Sequence, residues 1–397
     1  MNDRNAIVEK IQKVLQEADI PGWLFFDFRE SDPIAYRTLE LEMGTHPTRR
    51  WFYFIPAEGT PNKLVHRIES GRLGVLPGET TVYLRWQDLQ SSLAKILDGF
   101  PVVAMQYSPD NAIPYVSYVD GGAIELVRSC GVQVVTSADL IQKMEAVCNP
   151  TQLAQHRTAA QAITKIVKQA FAETAKRIAR EGQTTEFAIQ QYILECFEEE
   201  SLETDFPPIV AANDNSSNPH YCPLENQSRA IERGDFLLID LWARVPTQTS
   251  VFADITWTAY FAKDLPAEII RIFDIVQRAR DRGVEFLREC FSAGEPVQGF
   301  EVDDAVRSVI QKAGLNDYFT HRTGHNLGRE VHGSGVNFDN LETRDTRQVV
   351  PGLLCTIEPG VYLPNFGVRS EINIHVSEEG PEITTQPQSA VLTFQCD

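Results

Sequence analysis

The chain has 397 residues, of which 43% are hydrophobic and 23% charged, ordinary values for a folded protein with room for two cores. Its formal net charge of −19 repels polyanions, so no nucleic acid or anionic membrane is expected as a bulk partner. The seven cysteines (Cys130, Cys148, Cys196, Cys222, Cys290, Cys355 and Cys396) are odd in number and form no CxxC pair. That pattern fits reduced thiols rather than a disulfide framework.

The N-terminus, MNDRNAIVEKIQ, has no apolar signal-peptide core, and no apolar run approaches the ~20 residues that cross a bilayer. A cytoplasmic protein is expected. Residues 4–18 carry Ile7, Val8, Ile11, Val14 and Leu15 at helical spacing, with Asn2 or Asp3 as the cap. Strands are expected at 22–28, 51–55, 63–68, 81–86, 102–107 and 132–136, and helices at 87–97 and 112–118, which makes an α/β domain. Its His46, His66, Arg49 and Arg50 have no metal-like partners nearby in sequence and read as ordinary surface or core residues.

Cys148-Asn149-Pro150-Thr151 breaks the chain, which sets a domain boundary at about residue 147. Beyond it, helices are expected at 151–180 and 186–200, then a hairpin at 236–261. Helices at 266–291 and 302–313 precede a histidine-rich segment and a second hairpin at 353–376. The order helices, hairpin, helices, hairpin suggests two similar halves, although no sequence repeat supports it.

The two hairpins carry the chemistry. FLLIDLWARVPTQTSVFADITWTAYF, 236–261, holds Asp240 and Asp254 in apolar surroundings. Centred on Thr247, the hairpin sets them opposite each other. Strand alternation puts Phe236, Leu238, Asp240 and Trp242 on one face, and Phe252, Asp254, Thr256 and Thr258 on one face of the partner. LLCTIEPGVYLPNFGVRSEINIHV, 353–376, repeats the construction with Glu358 and Glu371 around Pro364, Asn365 and Gly367. Thr356 shares a face with Glu358, and Arg369 and Asn373 share one with Glu371. Paired buried carboxylates repel unless a positive charge lies between them.

THRTGHNLGREVHG adds His321, His325 and His332 between the hairpins, with Gly324 and Gly328 flanking His325 closely enough to let backbone approach a metal; His220 precedes the first hairpin. Asp240, Asp254, His325, Glu358 and Glu371 therefore form a ligand set of four carboxylates and one imidazole. Two divalent cations balance its charge, with a bridging water or hydroxide. Oxygen-rich ligation points to Mn, with Co, Zn and Fe as alternatives. Taken singly, each residue has a plainer reading: an Asp paired with a buried Arg, a structural His in a Gly-rich loop, Glu371 paired with Arg369. The ensemble outweighs them.

HY at 220, LLID at 237–240, ADIT at 253–256, TGHNLG at 323–328, EVH at 330–332, TIEPGVY at 356–362 and VRSE at 368–371 resemble the peptidase M24 family, which includes aminopeptidase P, prolidase, methionine aminopeptidase and creatinase. The resemblance covers the whole chain. It implies a creatinase-type α/β N-terminal domain over 1–147 and an α+β pita-bread catalytic domain over 148–397. It also implies that the five ligands hold two metals and that Glu358 shuttles the proton from bridging water to leaving nitrogen. His332 would steady the tetrahedral intermediate or scissile carbonyl. His220 and His321 would contact substrate, and Arg369 would position Glu371 or a substrate group. A homodimer is implied as well.

Two features depart from the family. Trp257 stands where Arg is frequent, facing away from Asp254 by alternation. The Asp240–Asp254 spacing is fourteen residues where eleven is usual, so the longer loop bears on access to the site. The expected activity is a dinuclear metalloaminopeptidase that splits an N-terminal residue from a following proline. The alternatives are a prolidase-type dipeptidase, a metal-free creatinase-like hydrolase and a non-catalytic peptide- or protein-binding pita-bread module.

Overall fold

A computed structural model describes residues 4–396; the expected cap at Asn2 or Asp3 lies outside the described residues. Contacts divide the chain into two compact units, Met1–Glu145 and Ala146–Asp397.

In the first unit α1 (Arg4–Glu17) precedes β1 (Gly22–Asp27), α2 (Pro33–Thr38), β2 (Trp51–Pro56), β3 (Asn62–His66), β4 (Glu79–Tyr83), α3 (Trp86–Ile96), β5 (Val102–Met105), α4 (Gly121–Arg128), β6 (Gln133–Thr136) and α5 (Ala138–Ile141). The strands form one mixed sheet in the order β4-β3-β2-β1-β5-β6. Its central strands read as unbroken apolar runs because both faces are covered: Trp23, Phe25, Trp51 and Tyr53 face one core, Leu24, Phe26, Phe52 and Phe54 the other. The helix expected at 112–118 is only a 3₁₀ turn, Pro114–Val116. Pro114 biases Ile113 away from helical backbone. Helices α2 and α4, which periodicity did not reveal, each open on a capping aspartate, Asp32 and Asp120, whose side chain accepts an otherwise orphaned backbone N–H.

The second unit opens with α6 (Pro150–Glu181), followed by β7 (Gln183–Thr185), α7 (Glu186–Glu199), β8 (Ile209–Ala212), β9 (Ala230–Glu232), β10 (Phe236–Ala243), β11 (Ala253–Tyr260), α8 (Ala267–Ala293) and α9 (Gly299–Lys312). After a largely irregular stretch come β12 (Leu354–Ile357), β13 (Gly360–Leu363), β14 (Phe366–Arg369), β15 (Ile372–Ser377), β16 (Gly380–Ile383) and β17 (Leu392–Thr393). Asn149 and Gln152 form the capping box that starts α6, with Pro150 at its first position, where a missing N–H costs nothing. The sheets run β17-β11-β10-β8, β12-β15-β16, β13-β14 and β7-β9.

The face of β10–β11 that carries Leu237, Ile239, Leu241, Ile255 and Trp257 packs with Ile163, Val167 and Phe171 of α6 in one core. The opposite face is left for the polar site. Trp257 lies among the α6-side core residues, as alternation requires, with the Lys168 ammonium 5.2 Å from its ring centroid.

Candidate metal centre

The strand ladders place the four carboxylates. On β10–β11, Asp240 pairs with Thr256 and Trp242 with Asp254. The two aspartates therefore share a face but sit diagonally, offset by one side-chain repeat. The expected direct opposition fails because the turn is centred on Gln248, not Thr247. Bonds from Thr247 N to Val245 O (2.7 Å) and from Ser250 N to Thr247 O (3.3 Å) shape that loop.

The second hairpin keeps one register throughout, Ile357 opposite Ile372 and Gly360 opposite Arg369. Glu358 and Glu371 fall opposite each other at the break between its two ladders. Pro359 offers no N–H there. The backbone of each glutamate bonds elsewhere: Glu358 N donates to Thr323 O (2.7 Å) and Glu371 N to Thr256 O (3.4 Å).

His325 is docked on β12. Thr356 N donates to His325 O (2.9 Å) and His325 N to Thr356 Oγ1 (2.9 Å). This approach requires glycine at 324, where a Cβ would lie 2.2 Å from Thr356 O. The glycine thus serves backbone-to-strand docking rather than approach to an ion. The His325 ring donates from Nδ1 to Asn326 O at 3.2 Å. That leaves the Nε2 lone pair facing the carboxylates, 3.3 Å from Glu358 Oε1 and 3.8 Å from Asp254 Oδ2.

Ligand atoms of Asp254, His325 and Glu371 lie within 4.8 Å of one another. Glu358 adjoins them through His325 and is held by Thr356 Oγ1, which donates to Glu358 Oε1 at 3.1 Å. Asp240 is linked through Thr256, whose hydroxyl proton serves either Asp240 Oδ1 (3.0 Å) or Glu371 Oε2 (2.8 Å). Asp240 is also ion-paired with the Arg369 guanidinium.

The arrangement is electrostatically unsatisfied. Asp254 Oδ1 and Glu371 Oε1 are buried without a hydrogen-bond partner. Burial, then the neighbouring carboxylates, raises both acids well above the ordinary carboxylate range. Burial also raises Glu358 to about 7 and holds His325 well below its ordinary value. Crowded acids facing an imidazole lone pair, with no proton donor to spare, form a donor set that a cation satisfies. These residues fit the expected metal.

The other singled-out residues surround this cluster. His332 presents an exposed edge, while its ring meets His325 edge-on with centroids 4.4 Å apart. Enclosure by protein, with Arg322 and His220 nearby, lowers it to about 4. His220 is exposed on the loop after β8. His321 is half-buried and lies outside the ligand cluster: Nδ1 donates to Arg322 O and Nε2 accepts from Tyr362 Oη, each at 2.7 Å. Arg369 turns inward to Asp240, to Thr256 Oγ1 (2.8 Å) and to Tyr362 Oη (3.1 Å), with no ion pair to Glu371.

Sequence reasoning missed Thr256 and Tyr362 as members of the site. Alternation places Thr256 on the face of Asp254 but announces no role for it. Tyr362 reaches His321 across forty-one residues of chain, and no local pattern announces that contact.

Residues 154–378, more than half of the chain, match the model of metallopeptidase family M24. An uncharacterized peptidase of Staphylococcus haemolyticus is 30% identical over 66% of this chain and 69% of its own. The Xaa-Pro dipeptidase of Pyrococcus furiosus is 33% identical over 47% and 49%. Among solved structures, dipeptidase PepE from Mycobacterium ulcerans superposes with a TM-score of 0.72 at 21% identity, covering 98% of this chain and 97% of that one. The likeness to solved structures is to pita-bread proteins over nearly the full chain. Among the described residues no helix is long and apolar enough to cross a membrane. The chain is a peptidase of metallopeptidase family M24.

Proposed function

We propose that the chain is a metal-dependent exopeptidase that hydrolyses the bond between an N-terminal residue and proline, with Xaa-Pro dipeptides as its substrates. The unsatisfied donor set of Asp254, His325 and Glu371, flanked by Glu358 and Asp240, carries this reading. Similarity to the Xaa-Pro dipeptidase of Pyrococcus furiosus favours the dipeptidase over the aminopeptidase expected from sequence.

Four carboxylates less the buried Arg369 cation leave three negative charges. Two divalent cations exceed that by one, which leaves room for a single anionic ligand. The balance of four carboxylates against two divalent cations expected from sequence thus shifts by the one charge of Arg369. Mn is the first choice of metal, with Co, Zn or Fe as alternatives. When bound, the pair would supply an acidified water and polarise the scissile carbonyl.

The chain's own residues do the rest. Glu358, steadied at Oε1 by Thr356, accepts the proton of the attacking water and returns it to the proline nitrogen. His332, neutral beside His325, offers a ring N–H to the oxyanion. His220, exposed on its loop, contacts the substrate on the proline side. Arg369, fastened by Tyr362 and Thr256, holds Asp240 in place.

The test is hydrolysis of paired Xaa-Pro and Xaa-Pro-Xaa substrates by metal-supplemented protein. Cleavage of the dipeptides is expected. Cleavage of the tripeptides alone would make the enzyme an aminopeptidase. Activity that survives chelation would favour the creatinase-like alternative, and intact peptides throughout would overturn the reading.

A further inference from the structure

We propose that Glu186 is the positioning residue for His220, acting through Tyr221; this rests on the reading of the site given above. His220 sits in a segment, 213–229, with only one 3₁₀ turn, Asn213–Ser217, and a mostly exposed surface. Such a segment has little apolar burial of its own to hold a side chain in place.

Its anchor is one carboxylate. Glu186 opens α7, is fully buried, and accepts from four separate groups of this segment and its entry. Oε1 takes Ala212 N at 2.7 Å and Asn215 Nδ2 at 3.0 Å. Oε2 takes Tyr221 Oη at 2.6 Å and Arg229 N at 2.9 Å. Glu186 N donates in turn to Arg229 O at 3.1 Å. Both ends of the loop and the residue beside His220 thus converge on a single side chain.

On its other side the loop is pressed against β14. Ser216 Oγ accepts from Gly367 N at 2.8 Å, and a Cβ at Gly367 would lie 2.1 Å from Ser216 O. Pro219 O, next to His220, is 3.5 Å from Arg369 Nη1, so the loop touches the network that holds Asp240. Bonds from neutral donors to a buried carboxylate are stronger than neutral pairs. The Tyr221 bond is the one nearest His220.

Tyr221→Phe removes that bond alone, and Glu186→Gln disturbs all four. Two readouts separate the proposal from the functional reading. In hydrogen exchange of the full chain, Tyr221→Phe should speed exchange over 213–229 about tenfold while α7 and β10–β11 stay protected. Unchanged protection of the loop would overturn the proposal whether or not the protein cleaves peptides. In Xaa-Pro hydrolysis, Tyr221→Phe should lower kcat/KM about tenfold, and the Tyr221→Phe/His220→Ala pair should be no worse than His220→Ala. Additive losses, or an active enzyme indifferent to Tyr221→Phe, would overturn the proposal and leave the Xaa-Pro reading standing. An inactive wild type would sink that reading alone.

Discussion

The two carboxylate hairpins look alike in sequence and are built differently. The first is one continuous ladder of eight pairs, from Phe236 opposite Tyr260 to Ala243 opposite Ala253. The pairing there runs without a gap, so the pleat sets which way both aspartates point, while outward backbone groups of β11 such as Asp254 N bond to Asn373. The second is two four-pair ladders separated at Glu358-Pro359 and Ser370-Glu371. The gap lets Glu358 bond Thr323 and Glu371 bond Thr256, so the second hairpin joins both the histidine segment and the first hairpin. A short side chain needs a rigid strand beneath it. A longer one tolerates a break, and the break is what brings three parts of the chain to one point.

The largest expected effect breaks the interrupted hairpin's chemistry without breaking its fold. Glu358→Gln should lower turnover about a thousandfold with the thermal midpoint close to wild type. A non-catalytic binding module would lose nothing in its peptide affinity. Next comes the continuous ladder. With metal at a hundred times its Kd, chelation should cost wild type about 2.7 kcal/mol. Asp254→Asn should abolish that sensitivity, and without metal it should be at least as stable as wild type, because one crowded acid is gone. Thermal unfolding with and without chelator measures both.

A third test probes what ties the hairpins together. His156 on α6 donates from Nδ1 to Phe252 O (2.8 Å) and accepts at Nε2 from Thr384 Oγ1 (2.7 Å), which links the approach to β11 with the segment after β16. Burial lowers its pKa to about 4. The unfolded chain takes up a proton near pH 6.5, the folded one only near 4. The stabilisation is therefore complete above 6.5 and is lost as pH falls towards 4, in total about 3 kcal/mol. His156→Gln should flatten stability against pH across that window; an unchanged slope would dismiss the histidine's part. The smallest effect lies behind the first hairpin. Lys168→Ala removes the ammonium from the face of Trp257 and should cost about 0.5–1 kcal/mol in denaturant unfolding, with kcat unchanged.

Much of this was legible in the residues. The midpoint rule found the register of the second hairpin because its turn at Pro364–Asn365 is short and symmetric. The same rule missed the first by one side-chain repeat because the loop around Gln248 makes its own internal bonds. Alternation still put Asp240, Asp254, Thr256 and Glu371 on inward faces, since a shift of two residues preserves the face. Helices α2 and α4 were missed because each is too short to show a period, and only the capping aspartates mark them.

The sequence by itself determined the identity of the donors and the faces they occupy, because period-two strands and Gly- and Pro-marked turns are local properties. Only the tertiary structure decided the pairing of Arg369 with Asp240, the reach of Tyr362 to His321 and the gathering of the His220 loop on Glu186. These contacts join residues far apart in the chain. They are selected by the cost of leaving a buried charge or hydroxyl unpaired, a cost that exists only once the core has closed around it.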